Sequence, residues 1–235
     1  MNDWGAQVIM LTIPMNNDEI HPILLKDDDG YTLIDTGVPG GSEALIAAIE
    51  GAGARLEDIK RILITHQDLD HIGNLPVLKR RLPEAEILAH PGDIPAITGS
   101  KPMIKMTEAR LAAMPEAIRQ NTQRFLEQLK TLGDITELND GDRLPYGGGI
   151  QIIHTPGHTP GHISLYVPDQ ELLLAADELR IIGGELEGPA PEFTPDLPLA
   201  LASLRKFAGL KVRSIICYHG GVYEGSPQRL IDKLS

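Results

Sequence analysis

Between Thr65 and Gly73 the chain reads Thr-His-Gln-Asp-Leu-Asp-His-Ile-Gly, which places two imidazoles and two carboxylates at His66, Asp68, Asp70 and His71. Imidazole nitrogen and carboxylate oxygen are the donors that suit Zn, Mn or Fe. A polar loop in which Asp68 or Asp70 merely caps the next helix needs one such group, not four in six residues. Upstream, Ile62-Leu63-Ile64 reads as a buried strand; downstream, Leu75, Leu78 and Leu82 recur at helical spacing. The cluster is therefore expected on a strand-to-helix turn, where side chains converge.

Three more candidates stand at the ends of apolar runs. His158 lies in Thr155-Pro-Gly-His-Thr-Pro-Gly-His162, a turn stiffened by two prolines. Asp177 follows Leu172–Ala176, and His219 follows the run Arg213–Cys217. Four imidazoles and three carboxylates are too many for one tetrahedral ion and suit two adjacent ones, with a carboxylate between them. Asp35 likewise ends the run Leu33-Ile34. A buried strand-end acid is costly unless bonded. It is either a turn residue held by Thr36 and Gly37 or an acid that orients a metal ligand. His90, beside Pro91-Gly92, reads as a loop residue.

The elements that must carry these residues alternate along the chain. Gln7–Ile13, His21–Lys26 and Tyr31–Asp35 have strand character, the last two joined by an Asp-Gly turn. Ser42 is expected to cap a helix to about Ala52, with Leu45, Ile46 and Ile49 inward. Strands are expected at Arg61–Ile64, Glu86–Ala89, Ile135–Leu138, Gln151–His154, His162–Val167, Leu172–Ala175 and Arg213–Cys217. Residues 101–132 form a helix-rich insertion broken at Pro115, with Leu111, Met114, Ile118, Phe125, Leu129 and Leu132 near one face. It is either a cover for the core or a cap over a pocket. Gly183–Pro198 reads as a loop, and Ser226-Pro227 opens a terminal helix. The two runs ending in Asp35 and Asp177 hint at two similar halves. Nothing in the 235 residues looks like a linker, so one domain, 1–235, is expected.

Composition narrows the partners. The net charge of −12 argues against nucleic acid and anionic membranes, and no apolar run nears the ~20 residues of a membrane span. The start, Met-Asn-Asp-Trp-Gly, lacks a signal-peptide pattern, and the single cysteine, Cys217, excludes an internal disulfide. These readings favour a cytoplasmic protein acting on a small molecule; a homodimer is compatible with them.

The order Asp35, His66-x-Asp68-x-Asp70-His71, His158, Asp177, His219 resembles the metallo-β-lactamase-fold hydrolases over nearly the whole chain. The resemblance implies an α/β fold, a four-layer αββα sandwich of two facing mixed sheets with helices outside. It implies two divalent metal ions: His66, Asp68 and His158 on the first, Asp70, His71 and His219 on the second, and Asp177 bridging. Asp35 would orient a ligand from outside that set. Asp70 and Asp177 would be catalytic, and a hydroxide bridging the metals would cleave a small ester, lactone or thioester.

The chain departs from the usual HxHxDH pattern at Asp68. A harder, anionic donor there tilts preference from Zn toward Mn or Fe; alternatively Asp68 binds weakly, or turns away and acts as a base. The flavodiiron proteins carry a Glu at this place, which keeps a non-haem iron redox enzyme in view, beside a phosphoester hydrolase and a non-catalytic metal module. The His158 segment is similar to that of glyoxalase II-like thioesterases and N-acyl homoserine lactonases. Those lactonases usually carry Tyr where this chain has Arg180, and Arg suits a carboxylate or phosphate. Glu178, Arg180, His162 and Tyr223 are the candidate substrate contacts.

Overall fold

A computed structural model describes residues 7–233; the signal-peptide reading of Met1–Gly5 lies outside the described residues. The first half of the chain contains β1 (Val8–Met10), β2 (Ile13–Met15), β3 (Asp18–Ile20), β4 (Ile23–Asp27), β5 (Gly30–Ile34), β6 (Ile59–Ile64), β7 (Glu86–Ala89) and β8 (Thr136–Glu137). The second contains β9 (Arg143–Leu144), β10 (Ile150–His154), β11 (Ile163–Val167), β12 (Leu172–Ala176), β13 (Arg180–Ile182), β14 (Glu185–Glu187), β15 (Ser214–Cys217) and β16 (Gly221–Glu224). Two six-stranded sheets result, ordered β1-β4-β5-β6-β7-β8 and β16-β15-β12-β11-β10-β9. Each mixes antiparallel and parallel pairs: β4–β5 is antiparallel and β5–β6 parallel, β11–β12 antiparallel and β12–β15 parallel. The pairs β2–β3 and β13–β14 form separate small hairpins.

Alternation along the central strands creates the layers, because successive side chains point to opposite faces. In β6, Leu63 faces one core while Ile62 and Ile64 face another; in β12, Leu172 and Leu174 face the first, Leu173 and Ala175 a third. The shared core holds Leu25, Ile34, Leu63 and Leu88 of one sheet against Ile152, Leu165, Leu174 and Ile216 of the other. The outer face of the first sheet is covered by α1 (Ser42–Gly51), which buries Leu45 and Ile49, and by helices that follow β6 and β7: α2 (Leu69–Ile72), α3 (Leu75–Arg81) and α4 (Ile94–Ile97). Then come α5 (Glu108–Ala113) and α6 (Glu116–Leu129), and on the second sheet α7 (Leu197–Ser203) and α8 (Gln228–Lys233). This is the αββα arrangement, with both outer faces apolar and helix-covered.

Several local expectations need correction. Gln7–Ile13 is not one strand: it divides into β1 and β2 because Pro22, which stands opposite Leu11 and accepts its amide, has no amide hydrogen to continue the ladder. Gly41, not Ser42, is the N-cap of α1, and no side chain caps it. The loop expected at 183–198 contains β14, paired back on β13. Within the insertion, Phe125, Leu129 and Leu132 are buried, but Ile118 is 53% exposed, so the apolar face is narrower than its spacing implied. Among the described residues, no helix is long and apolar enough to cross a membrane.

Two glycines mark close backbone approaches, Gly30 at the end of β5 far from the site and Gly73 at the site itself. Gly30 closes the β4–β5 turn with φ of 142°, and a Cβ there would lie 2.3 Å from Asp58 O. Gly73, which ends the opening motif, would place a Cβ 2.2 Å from Pro39 N. Its amide bonds Gly37 O at 2.8 Å, which locks the motif against the loop after β5.

Candidate metal centre

The site lies where both sheets present the ends of their strands. Ile163 N donates to Thr65 O at 3.0 Å and joins the sheets there. His66 leaves β6. Asp68 is the N-cap residue of α2, yet its side chain makes no capping bond, so the carboxylate is free to face elsewhere. Asp70 and His71 occupy α2 itself. His158 comes from the β10–β11 turn, Asp177 from the end of β12, and His219 from the end of β15. Ala176 turns the chain into Asp177 with φ of 49°, as Asp35 ends β5 with φ of 60°. Non-glycine residues in this region are uncommon and gather at functional sites.

The seven side chains form two groups. Potential donor atoms of His66, Asp68, His158 and Asp177 lie within 4.8 Å of one another, as do those of Asp70, His71 and His219. Asp177 touches both: its Oδ1 is 3.2 Å from His71 Nε2, and its Oδ2 is 3.3 Å from His158 Nε2 and 3.6 Å from His219 Nε2. Asp68 Oδ2 faces the first group, 3.0 Å from His158 Nε2 and 3.4 Å from His66 Nε2. The donor set fits divalent cations. His66 Nε2, His71 Nε2 and Asp177 Oδ1 are buried with no hydrogen-bond partner, and buried polar atoms are rarely left so. Only nitrogen and oxygen donors are present, which suits Zn, Mn and Fe without choosing among them.

The electrostatics follow from burial and proximity. Burial, then the neighbouring His71, hold His66 below its ordinary pKa, so its lone pair stays available. Burial also opposes ionisation of Asp68 and Asp177. Hydrogen bonds from His158 and His66 outweigh it at Asp68, and the charges of His71 and His219 at Asp177; both carboxyls fall well below the carboxylate range. For His71, burial is outweighed by Asp177, Asp35 and Asp70, and its pKa rises well above normal. Asp35 accepts from His71 Nδ1 at 2.8 Å, Thr65 N at 2.9 Å and Thr65 Oγ1 at 2.7 Å. It therefore leaves His71 Nε2 pointing at the cluster, the usual arrangement for a ligating histidine.

The four substrate-contact candidates separate. Arg180 lines the cavity beside the clusters and pairs with Glu187 at 3.4 Å. His162 is fully buried and does not line it. Glu178 is also fully buried, with neither carboxylate oxygen bonded; burial, then Asp177, push its carboxyl well above the carboxylate range. Tyr223 packs on the outer face of the second sheet. His90 stays outside both groups, stacked on His154.

Other residues at the site had little or no signal in the sequence. Lys105, from the insertion, places Nζ 2.5 Å from Asp68 Oδ2 and 2.7 Å from His158 Nε2. Met103, Met106 and Arg110 of the same segment line the cavity, so the insertion both covers the core and walls the site. The cavity measures about 480 Å³, with Met15, Ile181, Ile182 and Phe193 on its other walls. Tyr218 stacks on His71, with ring centroids 3.8 Å apart, and donates its hydroxyl to Asp70 O at 2.5 Å. Asp93 ties the two ligand-bearing turns together. It stands past His90-Pro91-Gly92 rather than directly after its strand as Asp35 and Asp177 do, so the strand-end pattern did not single it out.

Two mixed sheets between helices, with a pair of His/Asp clusters sharing one aspartate at their edge, define a metal-dependent hydrolase with a dinuclear metal-binding centre. Residues 18–219 match the family model of the metallo-beta-lactamase superfamily, and the chain belongs to that superfamily. It is 27% identical over 209 residues to the probable metallo-hydrolase YflN of Bacillus subtilis, covering 84% of this chain and 78% of that one. It is 26% identical over 194 residues to a hydroxyacylglutathione hydrolase of Stenotrophomonas maltophilia, but spans only 58% of that enzyme's length. In fold it resembles the metallo-beta-lactamase family protein TTHA1429 of Thermus thermophilus, with a TM-score of 0.74 at 22% identity over 97% of this chain and 79% of that one.

Proposed function

We propose that the chain hydrolyses a small ester, lactone or thioester. His66, Asp68 and His158 hold one divalent cation, Asp70, His71 and His219 a second, and Asp177 contacts both. The observation that carries this reading is the position of Asp177, within 3.2–3.6 Å of imidazoles from both clusters. Two bound cations supply Lewis acidity toward a carbonyl oxygen and lower the pKa of water to near neutrality.

The chain's own residues do the rest. Asp70 Oδ2 lies 3.2 Å from His219 Nε2, and Tyr218 fixes the Asp70 backbone. Burial opposes ionisation of Asp70, but His71 and His219 hold its pKa below normal, so it stays an anion able to orient an attacking water. The three methionines and Phe193 give the cavity an apolar wall for the acyl part of the substrate. Arg110 and Arg180 line the same space, beyond the carboxylates assigned to the cations, and supply donors for an anionic group on the substrate. The similarity to hydroxyacylglutathione hydrolases, named for a thioester-cleaving reaction, supports the thioester member of this class. The acidic chain also supports a small-molecule substrate over nucleic acid, and a single cysteine, which can form no internal disulfide, suits a cytoplasmic setting.

Metal analysis of the purified protein, followed by turnover of p-nitrophenyl butyrate, γ-butyrolactone and an acyl thioester, tests this. About two metals per chain are expected, with hydrolysis lost in Asp177→Ala and restored to the stripped wild type by added metal. A single tightly held iron with dioxygen uptake and no hydrolysis overturns it.

A further inference from the structure

Asp93 is fully buried just after β7, and it accepts four hydrogen bonds, none from its own helix. It sits at the N-cap position of α4, yet its carboxylate makes no capping bond. Instead Oδ2 accepts from Gln67 N at 2.9 Å and Thr159 Oγ1 at 2.6 Å; Oδ1 accepts from Gln67 Nε2 at 2.8 Å and Gly161 N at 2.8 Å. Gln67 stands between His66 and Asp68. Thr159 follows His158. One carboxylate thus holds the two turns that carry His66, Asp68 and His158. Gln67 extends the network, since its Oε1 accepts from Ile104 N at 2.8 Å, next to Lys105 on the cavity wall.

The backbones interlock around the same point. A Cβ at Gly92 would lie 2.9 Å from Gly161 Cα, and one at Gly161 would lie 2.4 Å from Asp93 N. No bond of Asp93 reaches Asp70, His71 or His219 themselves, and His71 is held from outside by Asp35. A buried carboxylate with four donors and no capping role is more than a loop needs to close. Its bonds all end on segments of one cluster.

We propose that Asp93 is the positioning residue of the first metal cluster, setting the distance between the His66–Asp68 turn and the His158 turn independently of the second cluster. This rests on the metal assignment above. An Asn at 93 keeps the shape but turns an amide toward two donors, so at least one bond fails whichever way it is placed.

Titration with Co(II), followed by visible absorption and calorimetry, tests the proposal in two backgrounds. His219→Ala isolates the first cluster and His158→Ala the second. In the first background, Asp93→Asn is expected to weaken Co(II) binding ~10–100-fold and to alter the absorption of the bound ion. In the second, binding is expected to stay within about twofold, since Asp93 touches nothing there. Circular dichroism and thermal melting establish that the variants fold. Should Asp93→Asn not fold, Thr159→Val removes one bond and leaves the carboxylate; about a threefold loss confined to the first cluster is the expected result. Equal losses in both backgrounds, or none in either, overturn the proposal. Failure of unsubstituted protein to bind two Co(II) ions overturns instead the metal assignment on which it rests.

Discussion

The backbone amide of Asp177 donates to Nε2 of His162 at 3.2 Å. That bond fixes the tautomer. With Nε2 accepting, Nδ1 carries the proton and donates to Thr155 Oγ1 at 2.8 Å. Burial, then the neighbouring His66 and His158, hold the ring well below its ordinary pKa, in keeping with a neutral imidazole. His162 therefore works behind the site, supporting the strand end that delivers the shared aspartate.

Replacing His162 with Leu tests this role. Leu has similar bulk but leaves the part-buried Asp177 amide without a partner, and the Thr155 hydroxyl keeps only Ser164 Oγ at 3.2 Å. A loss of about 1–3 kcal/mol in stability is expected, measured by urea denaturation of the metal-free protein. Metal retention after dialysis should fall with it. His162→Gln, which can still accept at one end and donate at the other, should lose less. An unaffected Leu variant would show that His162 carries no structural load.

Much of the site was legible because metal ligands gather at strand ends, and strand ends can be read from apolar runs. His66, Asp70, His71, His158, Asp177 and His219 all follow that pattern, and the structure brings them together with Asp68. The apolar runs of β5, β6, β7 and β12 likewise marked buried strands, while the face each side chain takes came only from the structure. What could not be read was contact made from a distance. Lys105 lies in a segment whose own pattern says only that it is partly helical, and its place against Asp68 depends on how the insertion folds back. His162 and Glu178 are close in sequence to ligands, but direction along a turn decides whether a side chain faces the cavity, and sequence spacing does not record it. Tyr223 faces outward for the plainer reason that residues alternate along β16.

Lys105 places a positive charge on the same two atoms that the first cation would use, Asp68 Oδ2 and His158 Nε2. Two cations cannot share those donors without repulsion. Lys105→Met keeps the length of the side chain and removes the charge. Tighter binding of a divalent metal at the first cluster is expected, by about tenfold, read by calorimetry in the His219→Ala background. Loss of affinity on this substitution would show instead that Lys105 supports the site.

His90 and His154 stack outside the metal centre, with centroids 3.8 Å apart and planes 13° from parallel. Partial burial, then the adjacent His154, lower the pKa of His90 from 6.5 to about 4. Between those values the unfolded chain binds the proton and the folded chain does not, so stability is full above about pH 6.5 and declines as pH falls toward 4. His90→Phe retains the stack without the titration. In melting curves of metal-stripped protein from pH 7 to 4, the variant is expected to lose less than the wild type across that window. Parallel curves would show that His90 contributes nothing to acid sensitivity.

Asp68 is where the chain departs from the HxHxDH pattern, and its Oδ2 faces both His66 and His158. A carboxylate is a harder donor than imidazole and adds a negative charge, so a site containing it discriminates less strongly in favour of Zn over Mn or Fe. Asp68→His replaces that donor with the softer nitrogen and also frees Lys105 from its ion pair. Loaded from an equimolar mixture of Zn and Mn, the variant should hold a Zn:Mn ratio about tenfold above the wild type's at the first cluster, measured by elemental analysis in the His219→Ala background. The second cluster, isolated by His158→Ala, should keep its ratio. An unchanged ratio and affinity at the first cluster would mean that Asp68 faces the metal without binding it, and that its carboxylate serves the Lys105 ion pair instead.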